Sequence, residues 1–177
     1  MTVWYEKSKL AMEKRLGSRF CEDGKFAEMG MDLADYEEKT TPIEGVSYGF
    51  FQGDMQLLRE AVAQVDATWV EFYPDGTDVF AGFVSGKPVC FCIVEEDKEC
   101  MLAEPGVKVG SIGCVGTLPE YRGRQLGLRM VDLATLYLKQ QGFDKGYIHY
   151  TAIDHWYAKL GYETFARFSF CKEDGEA

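Results

Sequence analysis

The residue types best suited to binding chemistry lie in a turn at residues 119–127, which reads Pro-Glu-Tyr-Arg-Gly-Arg-Gln-Leu-Gly. The apolar run that follows the turn predicts a helix, and a helix start leaves several backbone N–H groups unpaired at its positive end. Arg122 and Arg124 add full positive charges. Gly123 and Gly127 let the backbone approach a ligand closely. The combination predicts a cradle for a phosphate or pyrophosphate group.

The same turn resembles motif A of the GNAT superfamily of N-acetyltransferases. That motif reads Arg/Gln-x-x-Gly-x-Gly/Ala and holds the pyrophosphate of acetyl-coenzyme A (acetyl-CoA). Arg122 fills its first position and Gly127 its last, whereas Gln125 stands where the family usually has its first glycine. A second match follows in order, since His155-Trp-Tyr-Ala-Lys-Leu-Gly-Tyr162 resembles the family's motif B. The resemblance covers residues 46–170 and leaves the first 45 residues outside it.

The resemblance implies which residues hold acetyl-CoA as a cosubstrate. Backbone groups of Val115 and Thr117 are expected to bond with its pantetheine arm along the exposed edge of a strand. The pyrophosphate is expected to lie against the residues Arg122, Gly123, Arg124, Gln125, Leu126, Gly127 and Leu128. Glycine often marks a bulge or a close backbone approach in a strand, so Gly110, Gly113 and Gly116 support this interpretation.

Tyr157 is expected to act in catalysis as a general acid, since it occupies the position of the family's usual tyrosine near the cofactor sulfur. A phenol has a pKa suited to protonating a departing thiolate. The alternative is a core tyrosine on a short helix. The general base is left unassigned among Glu95, His149 and a chain of waters, because the central strand carries no carboxylate where the family often has one. Tyr150 replaces the asparagine that the family carries ahead of motif B.

Composition and charge limit the function classes of the chain. A net charge of −10 over 177 residues argues against nonspecific nucleic-acid binding. No apolar run reaches the roughly 18 residues of a membrane-spanning helix, and no secretory leader is evident, so we expect a cytoplasmic protein without membrane contact. The six cysteines show no metal-site spacing, which predicts no metal and a reducing compartment. Residues 121–148 are locally basic, and the acidic remainder favours a cationic acceptor or serves only solubility.

Hydrophobic periodicity and turn chemistry predict the elements that position these residues. Strands are expected at 46–51, 79–84, 88–94, 107–117, 145–150 and 162–171, the second and third of which form a hairpin. Helices are expected at 4–16, 55–65, 124–141 and 151–160, with a further helical piece near 69–73. Residues 18–45 show no regular pattern, and residues 1–45 are interpreted as an N-terminal helical extension of one domain that spans residues 1–177. The expected fold class is mixed α/β, with a mostly antiparallel mixed sheet and helices on both faces, as in the acyl-CoA N-acyltransferase (GNAT) fold.

Two functions fit these observations. The first is an N-acetyltransferase that moves the acetyl group from acetyl-CoA to a primary amine of a small molecule or peptide, by direct attack in a ternary complex. The second is a non-catalytic module that binds acyl-CoA as a sensor or interaction partner, which Gln125 and the unassigned base keep open. A nucleotide-binding domain is disfavoured because the sequence lacks the Gly-Lys-Ser/Thr and Gly-x-Gly-x-x-Gly patterns. The acceptor, the role of residues 1–45 and the oligomeric state, with a homodimer as one option, stay open at this point.

Overall fold

The computed structural model describes residues 24–169 together with Leu10, Lys14 and Gly17, and a mixed sheet organises this part of the chain. Its strands are β1 (Phe26–Asp32), β2 (Val46–Phe50), β3 (Val79–Val84), β4 (Lys87–Glu96), β5 (Val109–Thr117), β6 (Lys145–Thr151) and β7 (Glu163–Phe168). Their order is β2-β3-β4-β5-β6-β1-β7, and each neighbouring pair is antiparallel except β5 with β6. The predicted mixed, mostly antiparallel sheet is confirmed.

Helices cover both faces of this sheet. They are α1 (Met55–Val65), α2 (Leu126–Gln140) and the short α3 (Asp154–Tyr157), with 3-10 helices at Ala67–Phe72, Pro119–Tyr121 and Ala158–Leu160. Successive side chains of β4 belong to different layers, because strand residues alternate between the two faces. Phe91 lies in the buried cluster of Leu58 from α1, whereas Cys92 lies in the cluster of Met130 from α2. The predicted arrangement of helices on both faces is confirmed.

The N-terminal strand β1 departs most from the sequence-based expectation. The interpretation of residues 1–45 as a helical extension is wrong for Phe26–Asp32, which lies between β6 and β7 and pairs antiparallel with both. β6 and β7 therefore do not pair with each other. The middle of the strand is buried without any alternation, and Glu28 and Gly30 have low strand propensity, so no period-2 pattern marks it. Of the predicted helix at 4–16, the structure describes only Leu10 and Lys14, both of which are helical, and the other residues of this helix lie outside the described part of the chain.

The starts of α1 and α3 differ in their caps. The Asp54 carboxylate accepts a hydrogen bond from the Gln56 N–H at 2.9 Å and caps the start of α1. Thr151-Ala-Ile-Asp154 has the sequence of a capping box, but α3 has no side-chain cap, and the Thr151 hydroxyl accepts a hydrogen bond from the Ile153 N–H at 3.2 Å. Asp154 instead forms an ion pair with Arg167 of β7. This pair ties α3 to the edge strand of the sheet.

A buried polar cluster fixes the loop after β1 to α2. The Asp132 carboxylate is fully buried and accepts hydrogen bonds from the Tyr36 hydroxyl at 2.7 Å and from the Thr40 N–H at 2.6 Å. Arg129, less than one turn earlier, donates to the Thr40 carbonyl at 2.6 Å and pairs with Glu38. Buried charges are tolerated when they are bonded in this way. The cluster therefore anchors α2, whose first turn carries the predicted phosphate cradle.

Candidate functional site

The turn before α2 carries the unpaired amides that the sequence predicts. The hydrogen bond from the Arg129 N–H to the Gln125 carbonyl, at 3.0 Å, closes the first turn of the helix. Among the described residues, no group accepts a hydrogen bond from the N–H groups of residues 123–128. These amides lie at the positive end of a helix of 15 residues, so the turn is able to bind an anion.

Gln125 adopts the backbone conformation that favours glycine at its position. Its φ of 62° is left-handed, and Gly123, two residues earlier, has a φ of 75°. The left-handed conformation costs a residue other than glycine roughly 1–2 kcal/mol. The replacement of the family's first glycine by Gln125 therefore leaves the turn and its amides in place.

A cavity of about 640 Å³ opens beside these amides, and we call it the turn cavity. Its lining includes the predicted cofactor-binding residues Val115, Thr117, Arg122, Gly123, Gln125, Leu126, Gly127 and Leu128. Ile153, Trp156 and Lys159 line it from the segment that contains α3. The structure thus gathers the predicted residues of β5 and those of the turn other than Arg124 around one space, and adds Lys159 as a further cation.

The two arginines of the turn occupy different places. Arg122 lines the turn cavity, and its Nε donates a hydrogen bond to the Thr117 carbonyl at 3.1 Å. Arg124 lies outside the described lining of this cavity, with its guanidinium 5.5 Å from the ring centroid of Tyr121. Arg122 is therefore placed to contact an anion directly, whereas Arg124 offers its backbone N–H and a more distant charge.

β5 and β6 separate beside the turn cavity. They pair in parallel only between residues 109–111 and residues 145–147. A second cavity, of about 220 Å³, lies between residues 112–115 of β5 and residues 148–151 of β6, and we call it the split cavity. Val115 lines both cavities, so the two adjoin at this strand.

A bulge in β5 faces the split cavity. The register with β4 shifts there, and Cys114 has a φ of 46°. The Tyr73 hydroxyl donates a hydrogen bond to the Cys114 carbonyl at 2.7 Å. Because the carbonyl and the following N–H of a trans peptide point in opposite directions, the Val115 N–H points away from Tyr73. The expected bulge is present, and Val115 lies at its end.

Gly127 allows α2 to begin close to β5. A β-carbon at this position would lie 2.7 Å from Thr117 Oγ1 and 3.6 Å from the Trp156 ring. A larger side chain would push the first turn of α2 away from the strand. Gly127 therefore keeps the amides of the turn next to the part of β5 that lines the same cavity.

Tyr157 lies on the wall of the split cavity. Its side chain is 5% exposed and packs edge to face against Trp156, with ring centroids 4.8 Å apart. Burial raises the pKa of its hydroxyl well above the ordinary phenol value, with a smaller effect from nearby Cys92. The phenol therefore stays protonated at neutral pH and can donate a hydrogen bond.

A third cavity, of about 770 Å³, opens on the far side of the split, and we call it the aromatic cavity. Its aromatic lining comes from Trp69, Phe72 and Tyr150, and its ionisable lining from Glu71, Glu95, Cys114 and His149. The residues Trp69, Gly113, Cys114, His149 and Tyr150 also line the split cavity. The split cavity therefore adjoins both of the others across the divided sheet, and we call the three cavities together the passage.

Two residues that line the aromatic cavity were candidates from the sequence, whereas its aromatic residues were not predicted to lie in a site. Both base candidates, Glu95 and His149, line it. Trp69 and Phe72 were expected only as parts of a helical segment, because no local pattern shows that residues 69–72 meet residues 149–150. The signal available in the sequence was the density of aromatic residues in that segment.

The fold and the site together define an acetyltransferase-like α/β domain, in which a divided sheet meets the amide-lined start of a helix. The model of the acetyltransferase (GNAT) family matches residues 33–162, well over half of the chain, and the chain belongs to this family. The membership expected from the two motifs is confirmed. The strands β1 and β7 lie outside the matched residues.

Solved structures share this fold at low sequence identity. A glucosamine N-acetyltransferase region of a fungal multi-domain GH3 β-N-acetylglucosaminidase has 21% identity and a TM-score of 0.66, over 88% of this chain and 21% of that chain. A GCN5-related N-acetyltransferase from Sphaerobacter thermophilus has 18% identity and a TM-score of 0.62, over 88% of this chain and 52% of that chain. AAC(6')-Iy in complex with the bisubstrate analogue CoA-S-monomethyl-acetylneamine has 12% identity and a TM-score of 0.58, over 72% of this chain and 97% of that chain. These similarities show the fold alone.

The chain spans 21% of the first of these structures and 52% of the second. No curated protein matches the chain. Within the described residues, no group of three or more His, Cys, Asp and Glu side chains is arranged to hold a metal ion. None of the helices described above is long and apolar enough to cross a bilayer.

Proposed function

We propose that this protein is an acetyl-CoA-dependent N-acetyltransferase. It moves the acetyl group to a primary amine of a small molecule or peptide by direct attack in a ternary complex. The observation that carries this proposal is the separation of β5 from β6, which joins an amide-lined anion cradle to a cavity large enough for an acceptor. Membership of the GNAT family supports the choice of an acetyl donor. The CoA analogue in the AAC(6')-Iy structure supports the choice of CoA as its carrier.

In this proposal the turn cavity binds the donor. The N–H groups of residues 123–128 and the Arg122 side chain hold the pyrophosphate. Val115 and Thr117 bond with the pantetheine arm along the open edge of β5. The Thr117 carbonyl already accepts a hydrogen bond from Arg122, so Val115 provides the main strand contact.

The split cavity positions the reacting groups. The Val115 N–H polarises the thioester carbonyl and stabilises the oxyanion that develops on it. The amine nitrogen forms the new C–N bond, the C–S bond breaks, and Tyr157 protonates the departing thiolate. The ammonium form of the amine loses two protons in all, of which one restores Tyr157 and the other passes to solvent.

We propose His149 as the side chain that takes the proton from the amine. It lines both the split cavity and the aromatic cavity, and its Nε2 lies 3.9 Å from the position that a β-carbon on Gly113 would occupy across the gap. Imidazole is the side chain whose ordinary titration range lies nearest neutral pH. Glu95 lines the aromatic cavity but lies outside the described lining of the split cavity.

The state of Cys114 favours direct transfer over an acetyl-cysteine intermediate. Cys114 lines both the split cavity and the aromatic cavity. Burial raises its pKa to about 11, with smaller contributions from Glu95 and Asp66. At neutral pH it is therefore a thiol, which is a weak nucleophile.

Isothermal titration with acetyl-CoA and mass spectrometry of a panel of primary amines test the proposal together. We expect saturable binding that Arg122→Ala weakens roughly tenfold, because a charge-assisted contact is lost. Leu57→Asn, at an exposed position of α1, is the matched control. Failure of the parent protein to bind acetyl-CoA contradicts the proposal. Binding without acetylation of any amine favours the acyl-CoA sensor instead.

We also propose that the protein works in a reducing compartment such as the cytoplasm. Cys90, Cys92, Cys100 and Cys114 are free thiols, as is typical of intracellular proteins. Thiol titration of the unfolded protein, isolated without reductant, checks this proposal. Disulfide-bonded protein from its native source contradicts it.

A further inference from the structure

The aromatic cavity differs in charge from the turn cavity. Its described lining contains the carboxylates of Glu71 and Glu95 and no lysine or arginine. The described lining of the turn cavity is the reverse, with Arg122 and Lys159 and no carboxylate. A cavity lined by carboxylates attracts an ammonium group and repels a phosphate. The charges of the lining therefore suit the turn cavity to an anion and the aromatic cavity to a cation.

Exposed aromatic surface gathers around the aromatic cavity. Phe72 is 51% exposed and Tyr150 is 45% exposed, although both side chains are large and mainly apolar. Trp69 and Ile93 add to the apolar lining. Large apolar side chains that stay exposed around a cavity indicate a ligand with apolar surface of its own.

The N-terminal strand β1 holds the Tyr150 ring in place. Tyr150 has a φ of 54°, a left-handed conformation that a bulky residue rarely adopts. Its N–H donates to the Glu28 carboxylate at 3.3 Å, and its ring stacks on Phe26 with centroids 4.2 Å apart. The buried Glu28 also accepts a hydrogen bond from the Tyr147 hydroxyl. β1 lies outside the residues that match the family model, so this support for Tyr150 comes from a part of the chain beyond the matched region.

We infer that the acceptor is a cationic amine with a flat apolar body and no phosphate group, and that Tyr150 is a specificity-determining residue for it. The carboxylates attract the ammonium form of the reacting amine, and the Tyr150 ring packs against the apolar body. This inference rests on the proposed acetyltransferase function, since it names the substrate class of the same site.

Two probe amines test the substrate class. Phenethylamine combines a cation with a flat apolar body, whereas glucosamine 6-phosphate combines a polar body with a phosphate. We expect kcat/KM for phenethylamine to exceed that for glucosamine 6-phosphate at least roughly tenfold. Equal or preferred acetylation of the phosphorylated sugar overturns the inference, although it supports the acetyltransferase function.

Three variants test the role of Tyr150. Tyr150→Asn removes the ring but suits the left-handed backbone, so we expect a folded protein whose KM for phenethylamine rises roughly tenfold. Tyr150→Phe keeps the ring and is expected to keep the KM of the parent. Leu57→Asn changes another exposed apolar side chain, 59% exposed and outside the three cavities, and serves as the control. An unchanged KM in Tyr150→Asn overturns the role of Tyr150.

Separate binding measurements distinguish failure of this inference from failure of the proposed function. If acetyl-CoA binds but phenethylamine neither binds nor is acetylated, the inference is overturned and the donor site stands. If acetyl-CoA does not bind, the proposed function fails, and titration with phenethylamine alone still tests the aromatic cavity. Saturable phenethylamine binding that Tyr150→Asn weakens then supports the chemistry assigned to the cavity, and absence of binding overturns it.

Discussion

The two ends of the passage are built from different parts of the chain. The turn cavity is lined mainly by one continuous turn, through residues 121–123 and 125–128, beside β5. The aromatic cavity is lined by side chains from the separate segments 68–77, 93–95, 111–114 and 149–150. A site made of backbone amides depends on local conformation, whereas a site made of side chains depends on residue identity. We therefore expect the turn cavity to tolerate side-chain changes other than the loss of Arg122, and to fail when its backbone is displaced.

The largest effect is expected at Tyr157, where the two ends meet. Tyr157→Phe removes the proton donor and should lower kcat about 100-fold or more. Acetyl-CoA affinity should stay near that of the parent, because Tyr157 lines the split cavity and not the turn cavity. Steady-state kinetics and titration calorimetry measure the two quantities. An unimpaired kcat contradicts the acid assignment and leaves Tyr157 as a core tyrosine.

Displacement of the turn backbone is expected to have the next largest effect. Gly127→Ala places a β-carbon 2.7 Å from Thr117 Oγ1, so the Thr117 side chain or the start of α2 must shift. We expect the free energy of unfolding to fall by about 1–3 kcal/mol and acetyl-CoA affinity to fall with it. Titration calorimetry and urea unfolding check both.

Thr117→Ala provides the matched control for this displacement. It removes the hydroxyl that the new β-carbon meets, so the double variant should recover much of both losses. The single Thr117→Ala variant should bind acetyl-CoA nearly as the parent does, since the proposed contact there is with the backbone. Parent-like affinity in Gly127→Ala contradicts the need for close approach at this point.

A smaller effect is expected from the side chain at Gln125. Gln125→Gly keeps the left-handed turn, so acetyl-CoA affinity should stay close to that of the parent. Gln125→Val puts a β-branched residue at a φ of 62° and should lower the free energy of unfolding by roughly 1–2 kcal/mol. Urea unfolding and titration calorimetry compare the pair. Equal stability and equal affinity in the two variants contradict a site that depends on backbone conformation.

The smallest effect is expected from alkaline pH. Burial raises the pKa of Tyr157, and a general acid loses activity only as the pH rises through its own pKa. The profile of kcat should therefore show no alkaline decline up to about pH 10, the ordinary phenol value. A decline already near about pH 8, well below that value, is at odds with a buried phenol as the acid.

A decline of kcat at acidic pH, which we call the acidic limb of the pH profile, reports on the general base. A base acts when it is deprotonated, so activity should fall as the pH falls through its pKa. His149→Gln should remove this limb. If the limb persists unchanged in His149→Gln, another group or water accepts the proton.

Sequence reasoning located the turn cavity because its residues are contiguous. The strand with glycines, the turn and the amphipathic helix follow one another between Val109 and Gln140, and each has a local signature. Gln125 departs from the motif only in its side chain, and its backbone still adopts the left-handed conformation.

The parts that sequence reasoning missed depend on contacts between distant residues. β1 shows no alternation because its centre is buried, and it carries Glu28 in the middle of an otherwise apolar segment. That carboxylate is satisfied by Tyr147, which is far away in the sequence. Trp69 and Tyr150, likewise distant in the sequence, line one cavity together where β5 and β6 are separated.

A crystal structure with bound CoA tests the central claim most directly. We predict diphosphate oxygens at hydrogen-bonding distance, about 2.7–3.2 Å, from the N–H groups of residues 123–128. We also predict the sulfur in the split cavity beside the Tyr157 hydroxyl. CoA bound elsewhere on the molecule, or β5 and β6 joined by a continuous ladder beside Tyr157, would contradict the claim.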